Sequence, residues 1–338
     1  MNFSARDANF TPKYTTHPFN MTRLLRRIGL TCFYIFLALN ASTQADTVRI
    51  GAYVNDIFDV NLSENRFSAQ FWVWFNYKNK ELTPLETLEI PNAKELEISN
   101  PFTEEKNGIQ WTGKRINAVL KKEWDISRFP FDVQKMTIEL EESNLDIKSM
   151  VFVADVDNTK LDPKLSLSNW KIERFEMISG SKQYNTTYGD PELTQGSAYA
   201  HAELNIYIKR NALGLFFSLF TGMYVAFFIS WLVFFIEPQY VDPRFGLSVG
   251  GLFASVGNKY IVDSILPQST TFTLVDKLHI LTFSFLLLCI VMSVISLRLW
   301  HKGKPQESAQ FDRWAWKIIL FLYSAANLGL IWGASRGG

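Results

Sequence analysis

The texture of this chain changes abruptly near Arg210, and that change limits its folds more than any other feature. Before it, charged and aromatic residues are interleaved; after it, long apolar runs dominate at 213–236, 277–299 and 312–333. Roughly 20 consecutive apolar residues are enough to cross the hydrocarbon core of a bilayer as a helix. Trp314, Trp316 and Trp332 flank the last run, as aromatic residues do at membrane interfaces. The chain therefore divides into a polar first half and a membrane-embedded second half.

A fourth segment, 243–265, is less apolar and carries Gly246, Ser248, Gly250, Gly251, Ser255, Gly257, Asn258, Lys259 and Asp263. Ionisable residues facing lipid are costly, so this segment is predicted to be a helix shielded by its neighbours. Arg298, Lys302, Lys304 and Arg313 cluster between the last two runs, which predicts a cytoplasmic loop there. Counting back, the first half should lie outside. Arg23, Arg26 and Arg27 precede a short apolar run at 28–39, followed by the small residues Thr43 and Ala45. That pattern predicts a signal peptide cut near Ala45. The only cysteines, Cys32 and Cys289, sit in apolar stretches, so the exported half carries no disulfide, which fits a bacterial periplasm. The expected divisions are 1–45 (extension and signal peptide), 46–210 (exported domain) and 211–338 (four helices).

The exported half alternates with period two. Phe71, Val73, Phe75 and Tyr77 interleave with more polar or bulkier neighbours, as do Met136, Ile138 and Leu140, and Leu204, Ile206 and Ile208. Alternation puts one side chain in a core and the next outside. Turn residues separate the runs at Ser63 to Asn65, Asn79, Asn107-Gly108 and Asp157-Asn158. The pattern predicts an all-β antiparallel sandwich, immunoglobulin-like, of about ten strands. The net charge of +1 gives no reason to expect a nucleic-acid partner. The half holds one histidine, His201, and neither a metal-ligand cluster nor a nucleophile elbow, so an enzyme is not expected and no cofactor is implied. Glu141 and Glu142 read as a solvated strand face or turn.

The stretch Trp124-Asp125-Ile126-Ser127-Arg128-Phe129-Pro130-Phe131-Asp132-Val133-Gln134 resembles the signature loop of the pentameric ligand-gated ion channels, the Cys-loop receptor superfamily. Lys122 and Met136 stand where eukaryotic members have the bracketing cysteines, as in bacterial members that lack the bridge. Arg210 before the first helix, the Trp-led stretch Trp170 to Phe175, and Asp263-Ser264-Ile265-Leu266-Pro267 are similar to the family at matching places.

The resemblance implies a homopentamer in a lipid bilayer, the bacterial inner membrane, with each second helix lining a pore for monovalent ions. The implied lumen stripe is Asp242, Gly246, Gly250, Phe253, Gly257, Tyr260 and Ser264. Phe253 would form an apolar constriction and Asp242 an acidic ring that favours cations. Pro243-Arg244 is similar to anion-selective members, and Gly246 and Gly250 equally fit close helix packing. Ligand sites in the family lie between β-domains; Tyr184, Tyr188 and Tyr199 are the candidates for a small-molecule ligand, although one aromatic loop of the usual box is not found. A proton is the alternative ligand, with His279 as a possible sensor or a packing residue. Phe129, Pro130, Phe131 and Asp132 should rest on the loop from Pro267 to Thr273, with Asp132 and Arg210 paired and Glu64 near them. A non-conducting receptor or scaffold on the same fold is the competing reading.

Overall fold

The computed structural model describes residues 45–338 apart from 190, 192–195, 269–270 and 337–338. The expected signal peptide lies outside the described residues. Ten strands and four helices follow among those described: β1 Asp46–Asn61, β2 Arg66–Tyr77, β3 Leu88–Glu89, β4 Ala93–Lys106, β5 Ile109–Lys121, β6 Val133–Asp146, β7 Met150–Ala154, β8 Lys160–Leu161, β9 Trp170–Gln183 and β10 Ala198–Arg210. The helices are α1 Ala212–Trp231, extended by a 3₁₀ turn at Leu232–Phe235, α2 Val241–Ser264, α3 Leu274–His301 and α4 Pro305–Arg336.

The strands form two sheets. One runs β4-β5-β2-β1-β7 with β8 beside β1, and the other runs β3-β6-β10-β9. Their inner faces hold the predicted alternation: Phe71, Val73 and Phe75 oppose Met136, Ile138, Leu140, Leu204, Ile206 and Ile208, all fully buried. Period two makes this register robust, because a one-residue slip would turn every one of these side chains to solvent. Asn107 and Gly108 close the β4–β5 hairpin with φ of 55° and 76°, the left-handed pair that a tight hairpin turn needs. The sandwich is not purely antiparallel as expected. β7 and β8 both run parallel to β1. The chain reaches β7 by crossing from the second sheet rather than by a hairpin, so its direction is not tied to that of β1, and β8 continues in the same direction along the same edge.

Three helices, Ala212–Phe235, Leu274–His301 and Pro305–Ser335, are long and apolar enough to cross a membrane. The fourth, α2, has 24 residues, about 36 Å of helix, but its composition is too polar to count with them. α3 starts with a capping box: Asp276 N donates to Thr273 Oγ1 (3.2 Å) and Thr273 N donates to Asp276 Oδ2 (2.9 Å). α4 begins at Pro305, well before the expected 312. Proline suits the first helical turn, and the early polar residues Ser308 and Asp312 are buried against neighbouring helices rather than left in a loop. The loop between α3 and α4 therefore shrinks to 302–304, and Arg298 and Arg313 lie on helices.

Candidate functional site

Where the sandwich meets the bundle, β10 ends on Arg210 and the loop 122–132 folds beneath it. Arg210 Nε donates to Asp132 Oδ1 (2.8 Å) and a terminal guanidinium nitrogen donates to Oδ2 (3.1 Å). Both side chains are buried. The guanidinium also lies 3.8 Å from the Trp170 ring centre and 4.8 Å from that of Phe129. A planar cation can stack and donate in its plane at once, which lysine could not do. Gln134 closes the loop without a covalent bridge: its Nε2 donates to Asp125 O and Asp132 Oδ2, both at 2.7 Å, and its Oε1 accepts from Asp125 N (3.2 Å). The Ser127 amide and hydroxyl hold the Asp125 carboxyl below its usual range.

One expectation about this junction needs correction. Glu64 does not join the pair; it is exposed and binds Arg66 at 2.9 Å, because the β1–β2 turn carries it toward solvent. The motif loop also reaches the helices that flank 267–273. Leu274 N, in the first turn of α3, donates to Ser127 O (3.0 Å), and the Phe131 ring packs 5.7 Å from Phe216 on α1. Pro130 is buried at the loop's centre, and Pro267 lines a cavity of about 370 Å³ with Ile126, Lys259 and Asp276. Lys259 bonds Asp263 on its own helix and Asp276 on α3, the latter at 2.9 Å. Trp170, noted in the sequence only as the leader of a strand, proves to be the platform for Arg210; no spacing signals that role.

α2 has two distinct faces. Arg244, Ser248, Gly251, Ser255 and Val262 are buried within the subunit. Asp242, Gly246, Gly250, Phe253, Gly257, Tyr260 and Ser264 are all exposed, Phe253 at 71% and Tyr260 at 78%. Side chains three and four apart share a face, so these seven form one continuous stripe. A Cβ on Gly246, Gly250 or Gly257 would meet nothing within 4 Å, whereas one on Gly251 would fall 2.0 Å from Ser230 Oγ and 2.6 Å from Ala226 O. The close helix packing suggested for Gly246 and Gly250 thus belongs, inside the subunit, to Gly251. Arg244 is fully buried and pairs with Asp312 at 2.7 Å, so it is not beside Asp242 on the free face. His279 faces α2: Nε2 lies 3.2 Å from Asn258 Oδ1 and Nδ1 lies 2.9 Å from Val275 O, while Asn258 Nδ2 donates to Leu219 O on α1 (2.9 Å).

Tyr184, Tyr188 and Tyr199 come together at the far end of β9 and β10, with edge-on ring separations of 5.7, 6.1 and 6.3 Å. The loop between those strands is drawn shut by Tyr184 N donating to Ser197 O (2.8 Å); Gly196 passes so close to Tyr184 O that a Cβ would sit 2.0 Å from it. Glu141 is buried behind the rings rather than solvated. It accepts from Tyr184 Oη (2.6 Å) and lies 3.1 Å from His201 Nδ1. Glu142 is buried as well, accepting from the Asn144 and Leu145 amides at 3.0 and 3.2 Å. Strand alternation could not reveal this, since a β-bulge between Tyr199 and His201 shifts the pairing there. Burial and the Glu141 carboxylate push the Tyr184 hydroxyl up to about 12.

A β-sandwich seated on membrane-crossing helices through a buried Arg–Asp junction is the architecture of a multi-pass membrane protein. No family model matches the chain. It is similar to a proton-gated ion channel of Gloeobacter violaceus, at 18% identity over 303 residues, covering 83% of this chain and 81% of that protein. It is also similar to the gamma-aminobutyric acid receptor subunit rho-2 of human and cattle, at 24% identity over 179 residues, covering 52% of this chain but only 37% of the receptor subunit. These relatives belong to the pentameric ligand-gated ion channels, the Cys-loop receptor superfamily, and the chain is their homologue.

Proposed function

We propose that the chain forms a homopentamer in a bacterial inner membrane, with 46–210 as a periplasmic β-domain and 211–338 as the transmembrane domain, and that α2 lines a pore for monovalent cations. The observation that carries this reading is the division of α2: its charged and small residues Arg244, Ser248, Gly251 and Ser255 face its own subunit, while the stripe from Asp242 to Ser264 is left for an axis. With Arg244 neutralised by Asp312, Asp242 acts alone at the pore mouth. Five copies of Phe253 form an apolar ring that closes by expelling water. Opening is carried from the β-domain by Phe129, Pro130, Phe131, Asp132 and Arg210 into the start of α3 and α1.

The tyrosine cluster, with the Glu141 carboxylate behind it, suits a small cationic ligand held by ring faces. A proton is the alternative stimulus, in keeping with the name of the Gloeobacter relative. Purified protein in planar bilayers tests the whole reading. Unitary currents that reverse near the potassium potential in a salt gradient support it. Reversal near the chloride potential rejects the cation assignment, and silence under acid and under amines favours a non-conducting receptor.

A further inference from the structure

At the end of the bundle remote from the β-domain, polar residues from four segments meet in the absence of solvent. Arg244 on α2 donates to Asp312 Oδ1 on α4 (2.7 Å) and to Ile236 O after the 3₁₀ turn (3.2 Å). The second carboxylate oxygen of Asp312 accepts from Ser296 Oγ on α3 (2.8 Å). Ser308 Oγ on α4 lies 2.9 Å from Ser296 Oγ and 2.8 Å from Ser296 O. Arg244, Ser296 and Ser308 are 0% exposed.

As a stabilising device this cluster is poor. Burying an ion pair costs desolvation that the attraction offsets only when every donor is used. Here Arg244 Nε is buried without a partner. What such a pair can do is fix a register. Arg244 and Asp242 are two residues apart, about 200° around the helix, so holding one inward holds the other outward. Rotating α2 to bring Arg244 toward the lumen would leave Asp312 unpaired inside the bundle. The pair also cancels a positive charge two residues from the acidic residue at the mouth. α4 otherwise packs on α1, α3 and the 3₁₀ turn, and this bond is its direct polar link to the pore helix.

We infer that Asp312, on a helix that does not line the pore, is a specificity-determining position: it locks the rotation of α2 through Arg244 and masks that arginine's charge, leaving Asp242 to select cations. The inference rests on α2 lining the pore. Its test is the permeability ratio of potassium over chloride in bilayers for the wild type, Asp312→Asn, Arg244→Gln and the double variant. Asp312→Asn uncovers five positive charges at the mouth and lowers the ratio by about tenfold, the scale expected for several unit charges within a Debye length. Arg244→Gln and the double variant carry no bare positive charge and stay cation-selective. A pair with a purely structural role would lower yield and melting temperature and leave the ratio unchanged. Asp312→Asn conducting with the wild-type ratio overturns the inference. A wild type that is silent or chloride-selective instead overturns the pore reading beneath it. If Asp312→Asn does not assemble, the exchanged pair Arg244→Asp with Asp312→Arg keeps the bond and the net charge. Recovered assembly with wild-type selectivity supports the inference, and failure of either sinks it.

Discussion

Replacing Asp132 by alanine should be among the most damaging single changes in the junction. The carboxylate receives two bonds from Arg210, at 2.8 and 3.1 Å, and one from Gln134 at 2.7 Å. Its loss leaves a guanidinium of 8% exposure with two aromatic rings beside it but no counter-charge. Breaking one side of a buried pair costs about 3–5 kcal/mol, and the acceptor lost by Gln134 adds about 1 kcal/mol. Against a total stability of about 5–15 kcal/mol, that is a large share. The assay is the melting of detergent-purified protein followed by size-exclusion fluorescence, with bilayer currents on whatever assembles. Lys80–Glu105 is the control: its 2.6 Å contact is as short, but both side chains are exposed, and Glu105→Gln should leave the melting temperature in place. A double variant, Asp132→Leu with Arg210→Met, removes the orphan charge and should be less destabilised than Asp132→Ala. Asp132→Ala melting with the wild type and giving its currents would refute the reasoning.

Adjacent glycines should diverge. Gly251→Ala forces α1 and α2 apart at Ser230 and Ala226 and costs about 1–3 kcal/mol, whereas Gly250→Ala meets nothing in the subunit and should keep the melting temperature while lowering unitary conductance; the reverse order would show α2 turned the other way. Phe253→Ala removes the proposed apolar ring and should raise the current seen without stimulus, and an unchanged closed state would remove Phe253 as the gate. Tyr184 has a folded pKa of about 12, above the ordinary tyrosine value of about 10. The stability this shift contributes is full below about pH 10 and is lost as pH rises toward 12. Tyr184→Phe should flatten the alkaline fall in melting temperature, and a phenolate titrating for Tyr184 near pH 10 would contradict the burial. His279→Phe tests the proton alternative: an acid response that survives it removes His279 as the sensor.

Periodicity and length carried most of the architecture. Period two needs only local steric geometry and one buried face, so Phe71, Val73, Phe75 and their partners could be assigned to a core without knowing what opposed them. The apolar runs could be assigned to a membrane because lipid makes the same demand on every residue of a span. The seven positions of the α2 stripe were implied by the family resemblance, with helical spacing putting them on one face, and they do share the exposed face. The partner of Arg210 was legible too, since motif and strand end were both visible. Glu64 misled because proximity in chain order does not say which way a turn points its side chains.

What the sequence by itself determined, then, is the change of solvent near Arg210: a sandwich before it, apolar spans after it, and one helix too polar for lipid. The tertiary structure decided how that helix is turned. Arg244 donates to Asp312 from α4 and to Ile236 O from the turn before α2, Ser296 from α3 holds the other oxygen of Asp312, and Ser230 leaves room only for a glycine at 251. Charge and hydropathy along a chain describe what each residue needs, but only packing selects which partner meets the need. Arg244, which in sequence stands beside Asp242, is held by that packing on the opposite side of the helix.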